Sequence, residues 1–259
     1  MNDNHIESKT PALEAVNLTK RYEDGVLALD NLSLSIMPGE VFALLGGNGA
    51  GKTTTINLFL GFLEPTEGEA RINGIVCHRE PLEAKKQVAF VSENVRLYSN
   101  FTALQNLDFF AKLGGKTDYT KEDYRDVLLR VGLSADVHNK RLSGFSKGMR
   151  QKCGIAIAIL KDASVILLDE PTSGLDPKAG RDFIELIKSL RNEDKAILMS
   201  THDIFRAKEI ADVIAIMDQG KMIMQQTATE LSDKNLEQLY MQYMAGGVPA
   251  TETAGVADA

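Results

Sequence analysis

Hydrophobic positions alternate with polar ones from Leu13 to Ile36: Leu13, Val16 and Leu18, then Leu27, Leu29, Leu32, Leu34 and Ile36. Between the two sets lies Glu23-Asp24-Gly25. A period of two on either side of a glycine-containing break predicts antiparallel strands joined by a turn. The compact apolar run Val41 to Leu45 predicts a buried strand, and it leads straight into Gly46-Gly47-Asn48-Gly49-Ala50-Gly51. Helical spacing begins after these glycines, through Ile56, Leu58, Phe59 and Leu60, and stops near Pro65. A further strand is predicted over Val88 to Val91. From about Leu104 to Leu160 the spacing is helical, with Gly114-Gly115 and Gly132 as breaks.

Alternation of elements then returns. Strands are predicted over Val165 to Leu168, Ile197 to Ser200 and Val213 to Met217. Helices are predicted between them, over about Lys178 to Leu190 and Ile204 to Ile210. Asp218-Gln219-Gly220-Lys221 reads as a hairpin turn into a last strand, Met222 to Gln225. Strand–helix–strand succession implies a mostly parallel sheet. The expected fold class is therefore α/β: a mostly parallel sheet core, an antiparallel β subdomain and a helical subdomain over about 94–160. One domain is expected over 13–244, with a flexible lead-in over 1–12. The Gly-, Ala-, Thr- and Val-rich end, 245–259, has little to bury and is expected to be disordered.

Composition narrows the options. No apolar run reaches the roughly 18 residues that a membrane span needs, and the polar start lacks a signal pattern. The expected location is the cytosol. A net charge of -7 argues against a nucleic-acid-binding surface. Cys77 and Cys153 lie far apart without ligand spacing, so neither a disulfide framework nor a zinc site is expected. Cys77-His78 reads as an ordinary surface loop, and Met217, Met222 and Met224 as strand core.

Gly46-Gly47-Asn48-Gly49-Ala50-Gly51-Lys52-Thr53 carries the pattern of a phosphate-binding loop between a strand and a helix. Glycines let the backbone wrap closely enough for successive N–H groups to face phosphate oxygens. The helix that follows adds the positive end of its dipole. Lys52 supplies a cation for the β- and γ-phosphates, and the Thr53 hydroxyl a ligand for Mg²⁺. Thr54 follows directly and joins the nucleotide-binding set. This loop alone leaves GTPases, kinases and motors open, all on a P-loop NTPase-like core. A second segment, Val165-Ile166-Leu167-Leu168-Asp169-Glu170, is an apolar strand ending in two carboxylates. Asp169 is placed to hold Mg²⁺ through water, and Glu170 to polarise an attacking water.

Further segments carry a family resemblance. Asp169-Glu170-Pro171-Thr172-Ser173-Gly174-Leu175-Asp176-Pro177 resembles the Walker B and D-loop of ATP-binding cassette (ABC) proteins. Phe145-Ser146-Lys147-Gly148-Met149-Arg150-Gln151 resembles their signature segment, and Ser200-Thr201-His202-Asp203 their switch histidine. Tyr22, in Lys20-Arg21-Tyr22, matches the aromatic residue that stacks on adenine. The resemblance covers about Leu13 to Met244 and implies an ATPase using ATP and Mg²⁺. It implies two cassettes, in the simplest case a homodimer, sandwiching two nucleotides. Ser146 and Gly148 of one copy would face the γ-phosphate held by the other. His202 would hold the γ-phosphate, and Asp176 would line the interface. It also implies a separate integral membrane permease, with this chain peripheral at the cytoplasmic face.

Two positions depart from the family pattern. Phe145, Lys147 and Met149 replace residues of the usual Leu-Ser-Gly-Gly-Gln signature, while Ser146 and Gly148 are kept. Glu93, in Phe90-Val91-Ser92-Glu93-Asn94, stands where the family's Q-loop carries glutamine. Glu93 reads either as a Mg²⁺ ligand or as a solvated loop acid. Both departures resemble cassettes that serve export-type permeases. The alternatives are a soluble cassette acting on ribosomes or nucleic acid, and a regulatory cassette with little turnover. Against the first, the chain is acidic and has neither a second cassette nor a long coiled-coil insertion.

Overall fold

A computed structural model describes residues 10–232 and 236–244. The chain starts in strands β1 (Leu13–Arg21) and β2 (Leu27–Ile36), followed by β3 (Val41–Leu45) and helix α1 (Lys52–Phe59). Strands β4 (Glu67–Ile72) and β5 (Ile75–Val76) precede α2 (Pro81–Gln87) and β6 (Val88–Val91). The helical region comprises α3 (Ala103–Leu113), α4 (Lys121–Arg130) and α5 (Lys147–Lys161). Then come β7 (Val165–Asp169), α6 (Pro177–Arg191), β8 (Ala196–Thr201), α7 (Ile204–Ile210), β9 (Val213–Asp218), β10 (Lys221–Thr227) and α8 (Leu236–Met244).

Two sheets form. One has the order β2-β1-β4-β5 with antiparallel pairing, starting from Leu13 opposite Ile36. The other has the order β10-β9-β3-β8-β7-β6. In it β3, β6, β7, β8 and β9 pair in parallel, and only β10 runs against its neighbour. Side chains alternate across a strand, so the buried run of β3 serves both faces. Val41, Ala43 and Leu45 pack with helices α3 to α7, whereas Phe42 and Leu44 pack with α1 and the antiparallel sheet. Burial on both faces explains why β3, β7 and β8 read as unbroken apolar runs.

Differences from the sequence expectations cluster in 61–87. Strands β4 and β5 and helix α2 lie where no element is predicted. Cys77 is buried rather than on a surface loop, and burial pushes its thiol up to about 12. Met217 and Met224 are core residues. Within the lead-in expected over 1–12, Ala12 is already buried and its N–H donates to the Ile36 carbonyl at 2.9 Å. Residues 1–9 and the tail expected over 245–259 lie outside the described residues. Among the described residues, no helix is long and apolar enough to cross a membrane.

Candidate functional site

In a parallel sheet every strand delivers its carboxyl end to the same edge, and ligands bind in the crevice there. Four such ends carry the chemistry here. β3 ends at the glycine loop, β6 just before Glu93, β7 at Asp169-Glu170 and β8 just before His202. Register makes the alignment tight: Leu45 pairs with Thr201, Asp169 with Ser200, and Val91 with Leu168.

The glycine loop needs glycine for steric reasons at two positions. A Cβ at Gly46 would lie 2.5 Å from the Met217 carbonyl oxygen. At Gly51 it would lie 2.7 Å from the Ala28 carbonyl oxygen, and φ there is +105°, outside ordinary L-residue space. Gly51 is also the N-cap residue of α1. Gly47, Asn48, Gly49, Ala50, Gly51, Lys52, Thr53 and Thr54 line a cleft of about 580 Å³ that also includes Glu93, Asp169 and Glu170. Lys52 is buried, so its ammonium needs partners. It donates to the carbonyls of Gly46 at 2.6 Å and Gly47 at 3.1 Å, and lies 3.5 Å from Glu170 Oε1.

The two carboxylates are held differently. Asp169 accepts from Thr53 Oγ1 at 3.4 Å through Oδ2, and from Ser200 Oγ at 2.5 Å through Oδ1. A hydroxyl and a carboxylate side by side are oxygen donors of the kind Mg²⁺ takes. That hard cation takes few protein oxygens and keeps phosphate and water ligands. Glu170 sits in the left-handed region with φ of 47°, a conformation costing a non-glycine residue about 1–3 kcal/mol. Its N–H donates to the Ser200 carbonyl and to Ser200 Oγ, both at 3.1 Å, which pins the turn. Glu170 Oε2 lies 2.8 Å from His202 Nδ1. Lys52, Glu170 and His202 thus form one contiguous group.

Glu93 has partners of its own. Oε1 accepts from Lys147 Nζ and from Ser173 Oγ, each at 3.2 Å. Lys147 holds its carboxyl below the usual carboxylate range. One of its oxygens is thus held by two partners, while the side chain stays 43% exposed. Tyr22 stands at the margin, its hydroxyl 3.3 Å from Thr54 Oγ1.

Ser146 and Gly148 lie elsewhere. Ser146 caps α5, its Oγ accepting from the Met149 N–H at 3.2 Å, and Gly148 packs toward Leu175 and Ala179. Neither lines the cleft. Asp176 caps α6 by accepting from the N–H groups of Lys178 and Ala179. Sequence reasoning overlooked Ser200 as the link between Asp169 and Glu170, and Val26, Leu27, Ala28 and Gln219 as cleft walls. The serine stands within the quoted Ser200-Thr201-His202-Asp203, so a signal existed; the walls carry none.

Comparison with known proteins turns this geometry into a family. The family model described as ABC transporter matches residues 29–173. The ABC transporter ATP-binding protein NatA of Bacillus subtilis is 34% identical over 239 residues, covering 89% of this chain and 97% of its own. The chain belongs to the ABC transporter family. It is an ATP-binding subunit of that family and an ATPase. Nod factor export ATP-binding protein I of Cupriavidus metallidurans is 34% identical, covering 88% of this chain and 75% of its own. Among solved structures, a dimeric ATP-binding cassette in a post-hydrolysis state, bound to ADP and Pi, is similar at a TM-score of 0.75. It is 28% identical, and the match covers 83% of this ABC subunit and 98% of that chain.

Proposed function

We propose that this ABC ATPase subunit hydrolyses Mg-ATP between two copies arranged head to tail, and drives a separate, export-type membrane permease. The observation that carries the reading is the division of the site. The cleft holds the glycine loop, Lys52 and both carboxylates, while Ser146 and Gly148 open a helix outside it. A second copy supplies that helix start, whose N–H groups and dipole suit a γ-phosphate.

The chain's own residues then act as follows. Lys52 exchanges the Gly46 and Gly47 carbonyls for phosphate oxygens. Thr53 and Asp169 would hold Mg²⁺, which when bound neutralises charge on the phosphates. Glu170 takes a proton from the attacking water, and His202 keeps that carboxylate oriented from its other oxygen. Tyr22 stacks on the base, and Thr54 anchors its hydroxyl.

Coupling to the permease is assigned to a second cleft, of about 910 Å³, lined by Phe90, Val95, Leu97, Phe110 and Leu113. It shares Glu93 and Asp169 with the nucleotide cleft, so an occupant from the permease would respond to the nucleotide. This docking would place the subunit at the cytoplasmic face of the membrane. Export as the direction draws on the name of the Cupriavidus relative, a Nod factor export ATP-binding protein, and on Glu93 and Lys147.

Tagged Glu170→Gln protein should co-purify with a polytopic membrane protein, in stoichiometric amount, from detergent-solubilised native membranes with Mg-ATP. Recovery of ribosomal or DNA-associated proteins instead would contradict the transporter role.

A further inference from the structure

A carboxylate in a phosphate-binding cleft is an electrostatic liability, because it repels the ligand's anionic oxygens over a few ångströms. Glu93 lines this cleft beside Lys52 and the glycine loop. What offsets it comes from α5. Lys147 and Gln151 are four residues apart and share one helix face. Gln151 is fully buried, and its Nε2 donates to the carbonyls of Ser92 at 3.1 Å and Glu93 at 2.7 Å. One helical turn earlier, Lys147 Nζ donates to the Glu93 carboxylate at 3.2 Å. Ser173 Oγ donates to the same oxygen. The lysine lies over Gly174, where a side chain would meet its Nζ at 3.6 Å. One helix face thus grips Glu93 by both backbone and charge.

We infer that Lys147 is a positioning residue for nucleotide binding in its own chain: it neutralises and orients Glu93, so that an acid can line the nucleotide cleft. Lys147 stands between Ser146 and Gly148, the residues assigned above to the partner's nucleotide. The start of α5 therefore serves two nucleotides, its own through Lys147 and the partner's through its flanks. The inference rests on the cleft being the nucleotide site; only its first half concerns a single chain.

ADP titration by calorimetry in EDTA tests that half without turnover and without a metal. The side chains of Lys147 and Glu93 are 29% and 43% exposed, so screening keeps the effect modest. Lys147→Gln should weaken ADP binding about three- to tenfold. Lys147→Arg should bind like the wild type. The double variant Lys147→Gln/Glu93→Gln should return to within about twofold of it, because the uncompensated charge is gone. Glu93→Gln alone should bind at least as tightly as the wild type, a comparison that needs no change at Lys147. Unchanged affinity in Lys147→Gln, a double variant as weak as the single, or weakened binding in Glu93→Gln each overturns the role of Lys147 while leaving the cleft assignment intact. A wild-type chain that does not bind ADP removes both.

Discussion

Ser200 uses one hydroxyl twice: it donates to Asp169 and accepts from the N–H of Glu170. A hydrogen bond to a charged group contributes about 1.5–3 kcal/mol. Ser200→Ala should therefore lower kcat for ATP by roughly ten- to a hundredfold, with little change in KM, because the glycine loop and Lys52 are untouched. Steady-state ATPase kinetics check this, and a near-normal kcat would remove Ser200 from the account. At this scale the residues of the glycine loop and Asp169-Glu170 were legible in the sequence. Their chemistry requires fixed residue types at fixed spacing after a strand. The contacts of Ser200 were not, since they cross from β8 to β7 and depend on a pairing that spacing does not reveal. Nor did spacing reveal the partner that makes Glu93 tolerable, because Lys147 lies 54 positions away.

Among the elements, those with strong periodicity emerged from the sequence and those with weak patterns did not. β7 and β8 are buried along their apolar runs and stand out. β4 has only Ala70 and Ile72 buried, and α2 buries only Ala84, so neither leaves a usable signature. The helical region reads as helical but undivided. Its partition depends on capping side chains as much as on glycine. Thr102 accepts from the Gln105 N–H at 3.2 Å, and the Gln105 side chain accepts from the Thr102 N–H at 2.9 Å, closing a capping box at the start of α3. Thr102→Ala should cost about 1 kcal/mol of stability, measured as a lowered denaturant midpoint at unchanged slope. No shift in the midpoint would show that tertiary packing alone sets the start of α3.

For the whole molecule, the fold works by collecting strand ends at one edge while keeping the signature helix start outside the cleft. In the proposed function a second copy completes the site. Two chains of net charge -7 repel each other; in the proposed dimer bound nucleotide offsets that repulsion, and association should strengthen as salt screens it. The decisive measurement is sedimentation velocity of Glu170→Gln with and without Mg-ATP. The proposed head-to-tail dimer requires a monomer in the absence of nucleotide and a dimer at saturating Mg-ATP, with the dimer lost when Gly148→Asp is added. A Glu170→Gln chain that binds Mg-ATP and stays monomeric at every salt concentration would contradict it.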